Sequence, residues 1–201
     1  NLPKDIKILK KLKIDFLLLP KKNQIYKKKQ SMKLKLSTKD KILCAKYRKG
    51  HFEGVLAVIN QFLKTIKPKY MFLGKKDFQQ LYLIKKFIKM KFKTKIVSCK
   101  TIRDKKMVAL SSRNNLLNNK DLILSSQIAK LLFKFKQKLS KNFNKINQIK
   151  KIKDEINKIE NIDLEYLEIR NKFDLSKKIN KHSFKIFVAY YNKNVRLIDN
   201  Y

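Results

Sequence analysis

Tyr70-Met71-Phe72-Leu73-Gly74-Lys75-Lys76-Asp77-Phe78-Gln79-Gln80-Leu81 reads as a short strand, a tight turn and the opening of a helix. The apolar run Tyr70 to Leu73 has the length of a strand, and Phe78 to Met90 repeats apolar residues at helical spacing. Between them lie a glycine, two amines, a carboxylate and two amides. A strand-to-helix turn of an α/β sheet lies at the carboxyl ends of the strands, where ligands bind, and a helix N-terminus favours anions.

Working outward, Phe52, Val55, Val58, Ile59, Phe62, Leu63 and Ile66 form one face of a helix that Pro68 follows. Lys95 to Cys99 reads as the next strand. Toward the N-terminus, Leu2 to Leu12 is helix-periodic, Asp15 to Leu19 reads as a buried strand stopped by Pro20, Asn23 to Tyr26 as a single turn, and Met32 to Leu36 as a half-exposed strand. Helix and strand therefore alternate to about residue 100, which predicts a mostly parallel sheet with helices on its faces. The pattern changes near Thr101. Asp121 to Leu139 is a long amphipathic helix, and Asn142 to Asn161 is a Lys/Asn/Ile-rich helical stretch. Leu164 to Arg170, Phe184 to Tyr190 and Val195 to Ile198 read as strands. The expected organisation is α/β, residues 1–101, followed by a small α+β domain, 102–201.

The 201 residues are 43% hydrophobic and carry a net charge of +37, enough apolar content for a packed core. Such a charge suggests nucleic acid or an anionic surface. Yet only five of the 52 basic residues are arginine, the residue favoured for bidentate contacts to phosphate and bases. The lysines are spread along the whole chain, and Lys, Asn, Ile and Phe share A/T-rich codons. The charge is read as compositional drift on solvated faces, with specific nucleic-acid binding not expected. No apolar run reaches the ~18 residues of a membrane span. Cys44 and Cys99 make neither metal spacing nor a disulfide framework, and both are read as core thiols in a reduced, cytoplasmic protein. The chain begins at Asn1 without methionine and is read as processed or incomplete.

Three constellations could carry chemistry. In the first, Gly74 would let a backbone N–H approach a ribose or phosphate. Lys76 would supply a movable cation for a polyphosphate, Asp77 would accept from ribose hydroxyls, and Gln80 would lie one turn on, toward the same side. A solvated helix start is the competing reading. The second is Ser111-Ser112-Arg113-Asn114, a phosphate clamp or a polar loop with a helix cap. Arg113 gives it weight, because a lysine-drifting chain would have replaced an arginine needed only for charge. The third is Arg48-Lys49-Gly50-His51-Phe52-Glu53-Gly54, where His51 is read as structural at a helix start; His182 is read as a surface residue. No nucleophilic triad or metal-ligand spacing is visible.

Together these segments resemble the pantothenate synthetase (pantoate–β-alanine ligase, AMP-forming) family. The resemblance rests on Arg48 to Val55, Phe72 to Leu81, Ala109-Leu110-Ser111-Ser112-Arg113-Asn114 and Arg196-Leu197-Ile198-Asp199-Asn200, with Tyr166 to Arg170 in weaker support. It implies a Rossmann-like nucleotidyltransferase domain of the class I aminoacyl-tRNA synthetase kind, present in part over 1–101, and a C-terminal lid domain over 102–201. It implies a cytoplasmic homodimer that uses Mg-ATP (ATP with Mg2+) to convert pantoate to pantoyl adenylate, which the amine of β-alanine then attacks. By the resemblance, Gly74, Lys75, Lys76 and Asp77 would bind ATP, with Lys76 on the phosphates. Ile102 would touch adenine through its backbone. Leu110, Ser111, Ser112 and Arg113 would form the second ATP segment, and Gln80 would hold pantoate. Lys76, Ser111, Ser112 and Arg113 would be the catalytic group, with metal ligands unassigned.

The sequence departs from the family pattern at Lys75, where the family has Glu, and at Lys49, where it has Pro. The family's His-x-Gly-His motif and upstream pantoate-binding glutamine are not found in it. The resemblance thus covers the C-terminal two-thirds of the enzyme, and these residues alone are expected not to turn over. Two other readings compete: a different adenylate-forming nucleotidyltransferase of the same fold, and a lysine-rich nucleic-acid-binding protein.

Overall fold

The computed structural model describes residues 2–25 and 34–201. The chain divides into two units, residues 1–33 and 34–201. In the first, α1 (Leu2–Lys11) carries Asp5 in its first turn and lysines in its last, the arrangement its dipole favours. A single turn, α2 (Lys22–Ile25), follows, as expected for Asn23 to Ile25; Tyr26 lies outside the described residues. The buried strand expected over Asp15 to Leu19 does not form. These residues have no regular structure, and Phe16 is 93% exposed. An apolar run becomes a buried strand only when a neighbouring strand satisfies its backbone, and none among the described residues does. Of the strand expected over Met32 to Leu36, the first two residues lie outside the described ones, and Leu34 to Leu36 are irregular.

In the second unit a 3-10 turn (Thr38–Asp40) precedes a one-turn helix, α3 (Cys44–Tyr47), which α4 (His51–Ile66) follows. Gly50 enters α4 at φ +76°, a left-handed conformation that other residues adopt only with strain. Then β1 (Tyr70–Gly74), a single 3-10 turn (Lys75–Asp77), α5 (Phe78–Lys91) and β2 (Lys95–Cys99) follow in the predicted order. β1 and β2 pair in parallel, Tyr70 opposite Lys95 and Gly74 opposite Cys99. Met71, Leu73 and Ile96 pack on the core with α4 and α5, while Tyr70, Phe72 and Val97 face outward. The parallel sheet is therefore narrower than the helix–strand alternation predicts, with one packed face. Cys44 is buried as expected, but Cys99 is exposed, because period two turns it to the outer face of β2.

Beyond β2 the chain folds as α6 (Asn119–Lys141), α7 (Ile149–Asn157) and an antiparallel meander of β3 (Ile162–Asn171), β4 (Phe184–Asn192) and β5 (Val195–Asn200), ordered β3-β4-β5. A capping box starts α6: the Asn118 side chain accepts from the Asp121 N–H at 2.9 Å, and Asp121 reciprocates. β4 is buried on both faces. Ile186, Val188 and Tyr190 pack with Ile128, Leu132, Phe135 and Leu139 of α6, while Phe187 and Ala189 join the cluster of Leu56, Ile84 and Phe87 from α4 and α5. The antiparallel sheet thus lies between two apolar clusters. β5 continues that sheet to the β1–α5 turn, where the site lies.

Candidate active site

The β1–α5 turn is held from β5. The Asn200 side-chain amide donates to the carbonyls of Lys75 (3.0 Å) and Lys76 (2.8 Å). Asp199, the preceding residue, accepts from both terminal nitrogens of Arg103 (2.6 and 2.9 Å) and from the Tyr201 hydroxyl (2.8 Å). Burial opposes the charge on Arg103, and the paired bonds to Asp199 more than offset it, so its pKa is raised. Arg103 also donates to the Met107 carbonyl, and Leu110 N–H donates to the Ile102 carbonyl. The segment 102–110 is thereby a small hairpin, with Arg103 bridged to Ala109.

The hairpin delivers Ser111 to Asn114. The Ser111 hydroxyl accepts from Arg113 N–H at 3.3 Å and caps the short 3-10 turn that follows. Arg113 donates to the Arg196 carbonyl on β5 at 2.7 Å, and the Asn114 amide donates to the Ala109 carbonyl at 3.1 Å. The Asn114 side-chain oxygen is buried with no hydrogen-bond partner among the described residues. Such a group costs free energy unless something else meets it.

Lys76, Asp77, Ser111, Ser112, Arg113 and Asn114 line one cavity of about 180 Å³, together with Arg48, Arg196, Asp199 and Tyr190. This brings together two segments more than thirty residues apart in sequence. A cavity of that size holds phosphate groups and water rather than a whole nucleotide. A second, narrower cavity of about 40 Å³ holds Gln80, His51, Phe52, Phe78, Tyr166 and Phe187. Arg48, Lys76, Asp77, Ile198 and Asp199 line both cavities. Gln80 therefore stands beside the phosphate-sized cavity, against an apolar wall. Gly74, Lys75, Ile102 and Leu110 line neither: Ile102 and Leu110 are more than half exposed on the hairpin. Gly74 has an ordinary φ of −71°, and a Cβ there would enter open space. Its value to a ligand would be that space rather than its conformation.

The electrostatics are strongly positive. Arg196 is tied to Glu165, Nε to Oε1 at 3.1 Å and Nη2 to the other oxygen, and reaches Cys44 Sγ at 3.4 Å. Burial would lower its pKa, and the bonds to Glu165 and Cys44 reverse that. Burial lowers the pKa of His51, and Arg48, Arg113 and Arg196 lower it further, so the imidazole is neutral at pH 7. Its ring lies 5.0 Å from that of Phe52 at the start of α4. Among the described residues no group of three His, Cys, Asp or Glu side chains is placed to hold a metal. Among the described residues, Asp77 is the cavity carboxylate without an ion pair, Asp199 being bound by Arg103.

Arg48, Asp199 and Asn200 were given no role from sequence alone. The scarcity of arginine was the available signal: Arg48, Arg113 and Arg196 all line the first cavity, and Arg103 pairs with a residue that does.

The sequence matches the pantoate-beta-alanine ligase family over residues 1–201. It is 34% identical over 204 residues to the pantothenate synthetase of Leptospira interrogans serovar copenhageni, covering all of this chain and 72% of that protein. It is also 34% identical over 206 residues to that of Francisella tularensis subsp. mediasiatica, covering 69% of it. The crystal structure of the Francisella tularensis pantoate-beta-alanine ligase complexed with beta-gamma ATP and beta-alanine aligns with a TM-score of 0.81 at 32% identity, over 100% of this chain and 69% of that one. The Thermus thermophilus pantothenate synthetase aligns with a TM-score of 0.89 at 22% identity, over 100% and 74%, a likeness of fold. With the fold and the whole length of the sequence in agreement, the chain belongs to the pantoate-β-alanine ligase family.

Proposed function

We propose that this chain serves the ATP-dependent condensation of pantoate with β-alanine to pantothenate through a pantoyl adenylate. The observation that carries the reading is the cavity where Lys76 and Asp77 meet Ser111, Ser112 and Arg113, with Gln80 in the adjoining cavity. In the first step a pantoate carboxylate oxygen attacks the α-phosphorus of ATP, and the bond to the β-phosphate oxygen breaks, releasing pyrophosphate. In the second, the β-alanine amine attacks the acyl carbon, loses a proton, and displaces AMP. Both nucleophiles belong to substrates, so the protein has to supply position and charge.

Lys76 and Arg113 would neutralise the phosphates, with Ser111 and Ser112 donating hydroxyl hydrogen bonds. Asp77 would bind the ribose or, through water, the magnesium ion that screens the phosphates. Gly74 and Lys75 would offer backbone contacts at the turn, Ile102 and Leu110 would flank the base, and Gln80 would hold pantoate. We further propose residues 1–101 and 102–201 as functional divisions of the chain, a homodimeric assembly and a cytoplasmic setting. The described residues contain no helix long and apolar enough to cross a membrane.

The test is calorimetric titration of Mg-ATP into the 201-residue chain, with pantoate compared against amino acids as the second ligand. Lys76→Ala should weaken ATP binding by about 10- to 100-fold, the worth of a charge-assisted phosphate contact. ATP binding that is equal in both proteins overturns the reading.

A further inference from the structure

Arg48 is the arginine of this site whose guanidinium, among the described residues, no hydrogen bond or ion pair holds. Arg103 is bound by Asp199, Arg113 by the Arg196 carbonyl, Arg170 by Glu168 and Arg196 by Glu165. Among the described residues the Arg48 guanidinium has no hydrogen bond or ion pair. Its backbone is fixed all the same: its N–H donates to the Cys44 carbonyl at 2.9 Å, and its carbonyl accepts from His51 N–H at 3.2 Å. The side chain is half-buried and lines both cavities, as Lys76 does. Burial opposes its charge, Arg196 and Arg113 oppose it further, and the smaller favourable pull of Cys44 and Asp77 does not make up the difference, so its pKa is lowered. Holding an unpaired cation against two others is unfavourable unless an anion completes the site.

The first step of the reaction proposed above, before β-alanine enters, offers three anions. The pantoate carboxylate belongs with Gln80 in the narrow cavity. The departing pyrophosphate belongs with Ser111 to Arg113 in the larger one. Only the α-phosphate is bonded to both, first to pyrophosphate and then to the acyl group, so it has to lie where the two cavities share a wall. Arg48 and Lys76 are the cations of that wall. A planar guanidinium can donate two parallel N–H bonds to two phosphate oxygens, which an amine cannot.

Resting on that reading, we propose that Arg48 binds the α-phosphate and holds it from ATP through to the acyl adenylate. As the carboxylate oxygen adds to phosphorus and the bond to pyrophosphate breaks, negative charge on the α-phosphate oxygens is met by the Arg48 fork. The backbone around Arg48 is fixed by its bonds to Cys44 and His51, which sets the point from which the side chain reaches the wall.

The experiment titrates adenosine, AMP, ATP, pyrophosphate and pantoate separately into the 201-residue chain and into its Arg48→Gln and Arg48→Lys variants. Arg48→Gln should weaken AMP and ATP by about 10- to 100-fold. It should leave adenosine, pyrophosphate and pantoate unchanged, and Arg48→Lys should recover part of the loss. Unchanged AMP affinity overturns the proposal. So does loss of pantoate with AMP retained, which would make Arg48 the carboxylate's partner. Equal loss of adenosine and AMP would mean a structural role and overturns it too. Failure of the unmodified chain to bind either nucleotide would instead overturn the reading of the site beneath it.

Discussion

Lys185 stands on β4 with its amine 4.9 Å from the centre of the Phe78 ring, at the first residue of α5. Burial, with Lys136, Lys75 and Arg103 adding to it against a smaller opposing pull from Asp199, pushes its pKa down from 10.5 to about 8. The unfolded chain keeps that proton up to about pH 10.4. Between those values the unfolded state binds more protons than the folded one, so this group's contribution to stability rises with pH. Below about pH 8 the penalty is present in full, about 3 kcal/mol at most. Lys185→Met keeps the contact with Phe78 and removes the charge. It should melt higher than the parent at pH 7, and the difference should shrink by pH 10; an equal difference at both values would show that the amine is not destabilised by burial.

At the scale of elements, β5 acts as the fastening of the β1–α5 turn. Asn200→Ala removes both bonds to the Lys75 and Lys76 carbonyls. The expected cost is about 1–2 kcal/mol of stability, with a further fall of about tenfold in ATP affinity as the turn loses its position. Thermal melting with ATP titration checks both, and unchanged affinity would mean that the turn keeps its own shape. The turn itself was legible from sequence, because a glycine and polar residues between a strand-length apolar run and a 3.6-period run admit few alternatives. Its fastening was not. The bonds span more than a hundred residues, and nothing local to Lys75 asks for an asparagine at position 200. The same limit explains Asp15 to Leu19: the apolar run was visible, but strand formation depends on a neighbour that the run does not specify.

For residues 34–201 as a whole, β4 divides its side chains between two clusters, Ile186, Val188 and Tyr190 to one and Phe187 and Ala189 to the other. Neither cluster can lose its part of the sheet without exposing the other, so this unit should unfold in one cooperative step. Calorimetry should show a single transition for it, with equal calorimetric and van't Hoff enthalpies; two transitions dividing near Thr101 would refute the shared core. Periodicity, breakers and residue chemistry by themselves determined the helices and strands from α4 onward, the strand–turn–helix at Gly74 and the Ser111 to Asn114 loop, because those signals are local. Only the tertiary structure decided that the turn and the loop face one cavity, that β5 holds them there, and that Arg48 stands at the wall shared with Gln80 with no ion pair among the described residues. Those are relations between residues distant along the chain, set by how β4 packs on both faces rather than by any spacing within the sequence.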